Sequence, residues 1–245
     1  MKLLDFIRTL ETYEKPVFTV NDVSKVIDAD KKYTRVYLNR LKAKGVVEAV
    51  ERNKYVLAGT HPYVAASNLV FPSYMSFLTA LYYYQATTQI PGIIYVASTR
   101  SKKSLTMKGY SLEFIKLKKK RFFGYSRDKF QGKFVFVAEK EKLIVDSLFL
   151  PRYCPIDEIY NAMGDEKLNI DTLVEYGLRM DSIVTIKRLG YLLETKKIDV
   201  YERLKLRLNK KYDLLNPLLP KKGEKNFKWK LIINEVFSDA EQKKS

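Results

Sequence analysis

The sequence predicts an α+β chain: a small module of three helices and a hairpin, followed by a larger mixed region whose C-terminal part is helical. Three observations predict it. Apolar residues recur at helical spacing three times before residue 45 and then alternate in two short runs. Beyond residue 60, runs rich in β-branched and aromatic residues follow one another at strand length. From Pro155 to about Lys211 the helical spacing returns. Strands and helices gathered in blocks argue against a doubly wound sheet.

The first helix is expected over residues 3–10, where Leu3, Leu4, Phe6, Ile7 and Leu10 form one stripe; Pro16 closes it. A second helix starts at "TVNDVSKVID". Thr19 stands three residues before Asp22, a capping-box spacing, and Val23, Val26 and Ile27 face inward. A third helix runs from about Lys31 to Lys44, with Thr34, Leu38 and Leu41 on its buried side and Gly45 placed for a left-handed cap. "VVEAV" and "YVLAG" then flank a polar turn. "AGTHP", residues 58–62, marks the expected boundary between a domain of residues 1–59 and one of residues 60–245.

In the second region "YVAASNLV" and "SYMSFLTALYYY" read as helices, the latter capped by Ser73. "GIIYVAS", "SLEFIKL", "RFFGYS" and "KFVFVAE" read as strands, and "KEKLIVDSLFL" as a helix. "IDEIYNAMG", "NIDTLVEYGLRM", "SIVTIKRLGYLLETKK" and "DVYERLKLRLNK" read as helices, and "FKWKLIINEVF" as a last strand.

Composition narrows the function classes. The 245 residues hold 45 Lys and Arg against 28 Asp and Glu, a net charge of +17. Such a charge attracts polyanions, nucleic acid first and an acidic protein second. No apolar run nears the ~20 residues of a membrane span. Charges in "MKLLDFIRTLETYEK" break any signal-peptide core, so a cytoplasmic chain is expected. One cysteine, Cys154, excludes an internal disulfide, and with a single histidine, His61, no zinc site is expected.

Three helices followed by a hairpin is the order of a winged helix-turn-helix, which lays its second motif helix in the major groove. Opposite its buried side, the third helix offers Lys31, Lys32, Tyr33, Arg35 and Asn39. Arg and Lys suit guanine and Asn suits adenine. The hairpin offers Arg52, Asn53 and Lys54 to the backbone. The plainer reading is a solvated basic helix on a protein-binding winged helix. Residues 1–59 carry 12 Lys and Arg against 8 Asp and Glu, only +4, so the positive charge must lie on one face to matter.

"HPYVAASNLVFPSYMSFLTALYYYQATTQIP", "VAEKEKLIVDSLFLPRY" and "IKRLGYLLE", in that order, resemble the AbiEi antitoxin family, over most of residues 1–237. The resemblance implies the antitoxin and autorepressor of a type IV toxin–antitoxin pair. It implies an N-terminal domain on operator DNA and a C-terminal domain that helps neutralise a nucleotidyltransferase toxin encoded alongside. Repressors of this kind bind double-stranded DNA at inverted repeats, as two copies or a dimer. The alternatives are a stand-alone winged-helix transcription factor and a metal-dependent nuclease.

The nuclease alternative rests on Glu139, Glu141 and Asp146, after a predicted strand. "EKEK" lacks the Glu-x-Lys of restriction-type sites, and acids at a helix start suit its dipole. Neither a phosphate-cradling "GxxxxGK" loop nor a calcium loop is found, so no enzyme, cofactor or metal is expected. His61 reads as a linker residue. Tyr82–Tyr84 read as packing, Arg188 as the partner of an acid and Gly190 as a close helix contact.

Residues 100–133 hold 12 Lys and Arg against Glu113 and Asp128, a net of +10. Lys118, Lys119, Lys120 and Arg121 run straight into Phe122, Phe123 and Tyr125, a pairing that suits phosphates and bases, or an acidic partner. A solvated lysine surface over core rings accounts for it equally well. Residues 205–230 repeat the basic bias more thinly.

Overall fold

The computed structural model of the chain describes residues 3–12 and 14–237. It is a mixed α+β structure. The chain divides into two compact units: Met1–Met75 with Gly92–Lys116 and Ser126–Val137, and Ser76–Pro91 with Leu117–Tyr125 and Ala138–Ser245.

The first unit opens with helices α1 (Leu3–Thr12), α2 (Val20–Ile27) and α3 (Lys31–Ala43), then strands β1 (Val47–Glu51) and β2 (Lys54–Leu57). Thr19 and Asp22 cap each other at the start of α2: the Asp22 N–H donates to the Thr19 hydroxyl at 3.2 Å, and the Thr19 N–H to the Asp22 carboxylate at 2.7 Å. α3 starts on Asp30, whose carboxylate accepts from the Lys32 and Tyr33 N–H groups. Phe6, Leu10, Phe18, Val20, Val23, Leu38, Leu41 and Val47 make one core. Leu3 and Leu4 of the expected α1 stripe stay exposed.

The same unit continues with α4 (Pro62–Asn68) and β3 (Ser73–Met75), then β4 (Ile93–Ser98), β5 (Leu105–Met107), β6 (Tyr110–Lys116), β7 (Tyr125–Phe130) and β8 (Lys133–Ala138). The second unit carries α5 (Phe77–Tyr83), which follows β3 in the chain. The sheet order is β5-β6-β4-β3-β8-β7, with β3 antiparallel to β4 and parallel to β8. Residues 73–75 are therefore strand rather than the predicted helix start. Ser73, Tyr74 and Met75 are buried, and the strand pairs with β4 along its length and with β8 at Met75; helical spacing begins at Phe77. "RFFGYS" is likewise no strand at its start: Lys119–Arg121 form a single 3-10 turn, and Gly124, at φ +64°, reverses the chain before β7.

The second unit continues with α6 (Lys140–Phe149), α7 (Ile156–Ala162), α8 (Ile170–Arg179), α9 (Ile183–Thr195) and α10 (Tyr201–Leu204), then β9 (Asp213–Leu214), β10 (Glu224–Asn226) and β11 (Leu231–Ile233). α6 packs on α5, α7, α8 and α9 and is buried from Lys142 to Leu148. Trp229 is fully buried against Gly190, where an added Cβ would lie 2.1 Å from the indole. Arg188 is held by carbonyls rather than by the expected acid: Nη1 donates to Leu148 O at 2.8 Å and Nη2 to Leu214 O at 3.1 Å. The predicted helix over "DVYERLKLRLNK" stops at Leu204, and a three-stranded sheet, β10-β11-β9, follows where one last strand was expected. Among the described residues, no helix is long and apolar enough to cross a membrane.

Candidate nucleic-acid interface

α3 keeps the periodicity read from its sequence. Thr34, Leu38 and Leu41 are buried, while Lys31, Lys32, Tyr33, Arg35 and Asn39 are exposed. Lys32, Arg35 and Asn39 follow at spacings of three and four, which puts them on one side of the helix. Val36, 44% exposed, and Arg40 stand beside them; the sequence reading had passed over both. An exposed β-branched residue on a basic helix is the signal that could have found Val36. The Tyr33 ring stacks on that of Tyr37 at 6.5 Å between centroids, so it is half-exposed but held. Asp30 already occupies the Lys32 and Tyr33 N–H groups at the helix start, so an anion there would have to be met by side chains.

The hairpin residues are less alike than they look in sequence. Arg52 is exposed at the tip. Asn53 sits at φ +62°, and its side-chain oxygen accepts from the Val20 N–H at 3.1 Å, which ties the hairpin tip to the start of α2. The Lys54 ammonium donates to Leu69 O and pairs with Glu51 at 2.9 Å. Its partners lie within the fold, so it is not a free cation for a phosphate.

The acids of the first 59 residues are distributed unevenly. α3 contains none. Glu14 pairs with Arg127 at 2.6 Å, Glu48 with Lys108 at 3.2 Å and Glu11 with Lys133 at 3.6 Å, and Glu51 pairs with Lys102. Burial alone would raise the Glu51 pKa; hydrogen bonds from Lys102 and Lys54 hold it below the ordinary value. Asp22 is bound to Thr19 and Lys15.

These pairs also account for much of the basic segment. Lys118 and Lys119 are exposed, but Lys120 pairs with Asp181. Arg121 donates through Nε to Met180 O at 2.7 Å and through Nη2 to Asp181 O at 2.9 Å, with its guanidinium 4.4 Å from the Phe149 ring centre. Phe123 is buried against Tyr176. The four basic residues thus do not form one open surface, because half of them anchor the 3-10 turn.

The carboxylates considered for metal chemistry have separate partners. Glu139 accepts from the Tyr176 hydroxyl at 2.6 Å and Glu141 from the Asn169 N–H at 2.8 Å. Asp146 is fully buried, paired with Lys142 one turn earlier, and accepts from the Ser76 hydroxyl at 2.9 Å. Burial lowers the Lys142 pKa, and Asp146 opposes that shift. His61 is more than a linker: its Nδ1 accepts from the Tyr63 N–H as the α4 cap, and its ring lies 4.7 Å from that of Phe130. Burial, then the charge of Lys108, lowers its pKa. Among the described residues, no group of three or more His, Cys, Asp or Glu side chains is placed to hold a metal ion.

Compared with known proteins, the chain matches no family model and no curated sequence.

Proposed function

We propose that the chain is a sequence-specific DNA-binding regulator, and that α1–α3 with β1 and β2 form a winged helix-turn-helix. One observation carries the reading: α3 has a basic, acid-free outer side, while four glutamates of the same 59 residues are each paired with a cation from residues 102–133. The weak net charge of this region therefore conceals a segregated one, which is what groove binding requires. Lys31, Lys32, Arg35, Val36 and Asn39 meet the major groove, with Arg35 suited to guanine, Asn39 to adenine and Val36 to a thymine methyl. Arg52 reaches the backbone; Asn53 and Lys54 hold the hairpin in place. The role as antitoxin and autorepressor of a toxin–antitoxin pair rests on the AbiEi resemblance, and a nucleotidyltransferase reading frame beside this gene is its expected mark. A regulator without a toxin would use the same site.

The test is fluorescence anisotropy on duplex DNA from upstream of the gene, against a shuffled duplex. Arg35→Ala should cost about 1–3 kcal/mol and relax sequence preference. Arg52→Ala should weaken both duplexes alike and lower the salt slope by about one phosphate contact. Wild-type binding by both variants would refute the reading.

A further inference from the structure

The sheet β10-β11-β9 has one face that the core does not use. Leu231 is buried, so the opposite face carries Lys225, Ile232 and Leu214, which are paired directly across the strands. Phe227, in the turn that follows β10, is 72% exposed. Its ring lies 6.3 Å from that of Tyr212, edge-on. The Lys225 and Lys230 ammonium groups stand 5.4 Å and 5.6 Å from the centre of the Tyr212 ring. Residues 205–230 hold nine Lys and Arg against Asp213 and Glu224, a net of +7. Asp213 is turned to the buried Lys187 at 2.7 Å. Among the described residues, no ion pair engages Lys210, Lys221, Lys222, Lys225 or Lys230.

We infer that this region is a stacking site for single-stranded nucleic acid, separate from α3. The exposed Phe227 ring meets an unstacked base, while the lysines around it meet the phosphates. A duplex hides its base faces and would leave Phe227 idle. An acidic peptide without apolar side chains would use the lysines but not Phe227. Core packing does not explain Phe227 either, because Trp229 fills that role from the buried side. An unpaired strand is chosen over a duplex because its bases are free to splay onto a ring.

The experiment uses the full chain carrying Arg35→Ala and Asn39→Ala, which weakens the α3 contribution. The probes are a labelled 12-nucleotide oligouridine, an RNA duplex of equal length and polyglutamate. Oligouridine should bind more tightly than either, with Phe227→Ala weakening it about tenfold and Phe227→Trp keeping it. Lys225→Ala with Lys230→Ala should lower the salt slope by about 1.4, as for two contacts to a single strand. An unchanged thermal midpoint for Phe227→Ala, expected of an exposed ring, separates lost binding from lost fold. The inference is overturned if Phe227→Ala binds oligouridine as its parent does. It is also overturned if the duplex or polyglutamate binds as tightly, or if oligouridine does not bind at all.

Discussion

Residues 100–133 and 205–230 look like the same feature in sequence, a lysine-rich stretch with aromatic rings; each pairs some of its cations, and the two differ in where the rings lie. In the first, Lys102, Lys108, Arg127 and Lys133 pair with glutamates, and Lys120 and Arg121 fasten a turn. In the second, Lys205, Arg207 and Lys228 pair with Glu202, Asp181 and Glu194, while five lysines have no ion-pair partner among the described residues and a phenylalanine stands exposed. Charge counted along the chain is therefore not charge on the surface. What separates the two is the rings: Phe123 is buried against Tyr176, whereas Phe227 is 72% exposed.

The sharpest way to test that distinction is the extreme case, a lysine wholly inside. Lys142 and Asp146 are both fully buried, so Asp146→Ala leaves an uncompensated charge. Destabilisation of about 3–5 kcal/mol is expected in urea unfolding, and Lys142→Met with Asp146→Leu should recover much of it. An Asp146→Ala chain that unfolds at the wild-type midpoint would remove the premise that internal lysines here depend on their acids.

Next in size is the turn. Arg121→Ala deletes two charged donors to Met180 O and Asp181 O together with the contact on Phe149, and about 2 kcal/mol should be lost. Lys225→Ala should stay within about 0.5 kcal/mol, as a surface change. Equal losses at the two positions would collapse the comparison.

Acid probes the glutamate pairs directly. The Glu51 pKa is depressed in the fold, below the ordinary 4.5. The folded chain thus holds that proton less tightly than the unfolded one. Its stabilisation is fully present above the unfolded value and is lost as pH falls through the folded one. Stability measured by denaturant midpoint should decline below about pH 4.5, and Glu51→Gln should make that decline shallower.

The sequence carried the first sixty residues well because their signals are local. Thr19 with Asp22 marks a cap, Thr34, Leu38 and Leu41 mark a buried side, and Gly45, at φ +68°, marks a stop. It carried less where pairing decides. Ser73–Met75 is a strand only because two partners hydrogen-bond to it, and no local pattern encodes them. For the candidate site, the exposed side of α3 was legible from period alone. The commitment of Lys54 to Leu69 O and of Asn53 to Val20 was not, since those partners lie 15 and 33 residues away. The face of Phe227 was hidden for the same reason: Tyr212 and Lys225 come together only across a sheet whose strands are two or three residues long.

The smallest expected effect isolates a single pair. Arg127 meets Glu14 at 2.6 Å, and its guanidinium carbon also lies 3.4 Å from the Phe134 ring centre, so Arg127→Ala alone mixes two losses. A double-mutant cycle with Glu14→Ala removes the ring contribution, because that contact is present in both arms where arginine is kept. Both side chains are substantially exposed, which limits the pair to a coupling of about 0.2–1 kcal/mol. High salt should shrink that coupling toward zero while leaving the contact with Phe134 largely intact. Lys221→Ala combined with Glu14→Ala should show no coupling at any salt, since no ion pair engages Lys221 among the described residues. A coupling at Glu14 and Arg127 no larger than that control would mean that the chain gains nothing measurable from this pair.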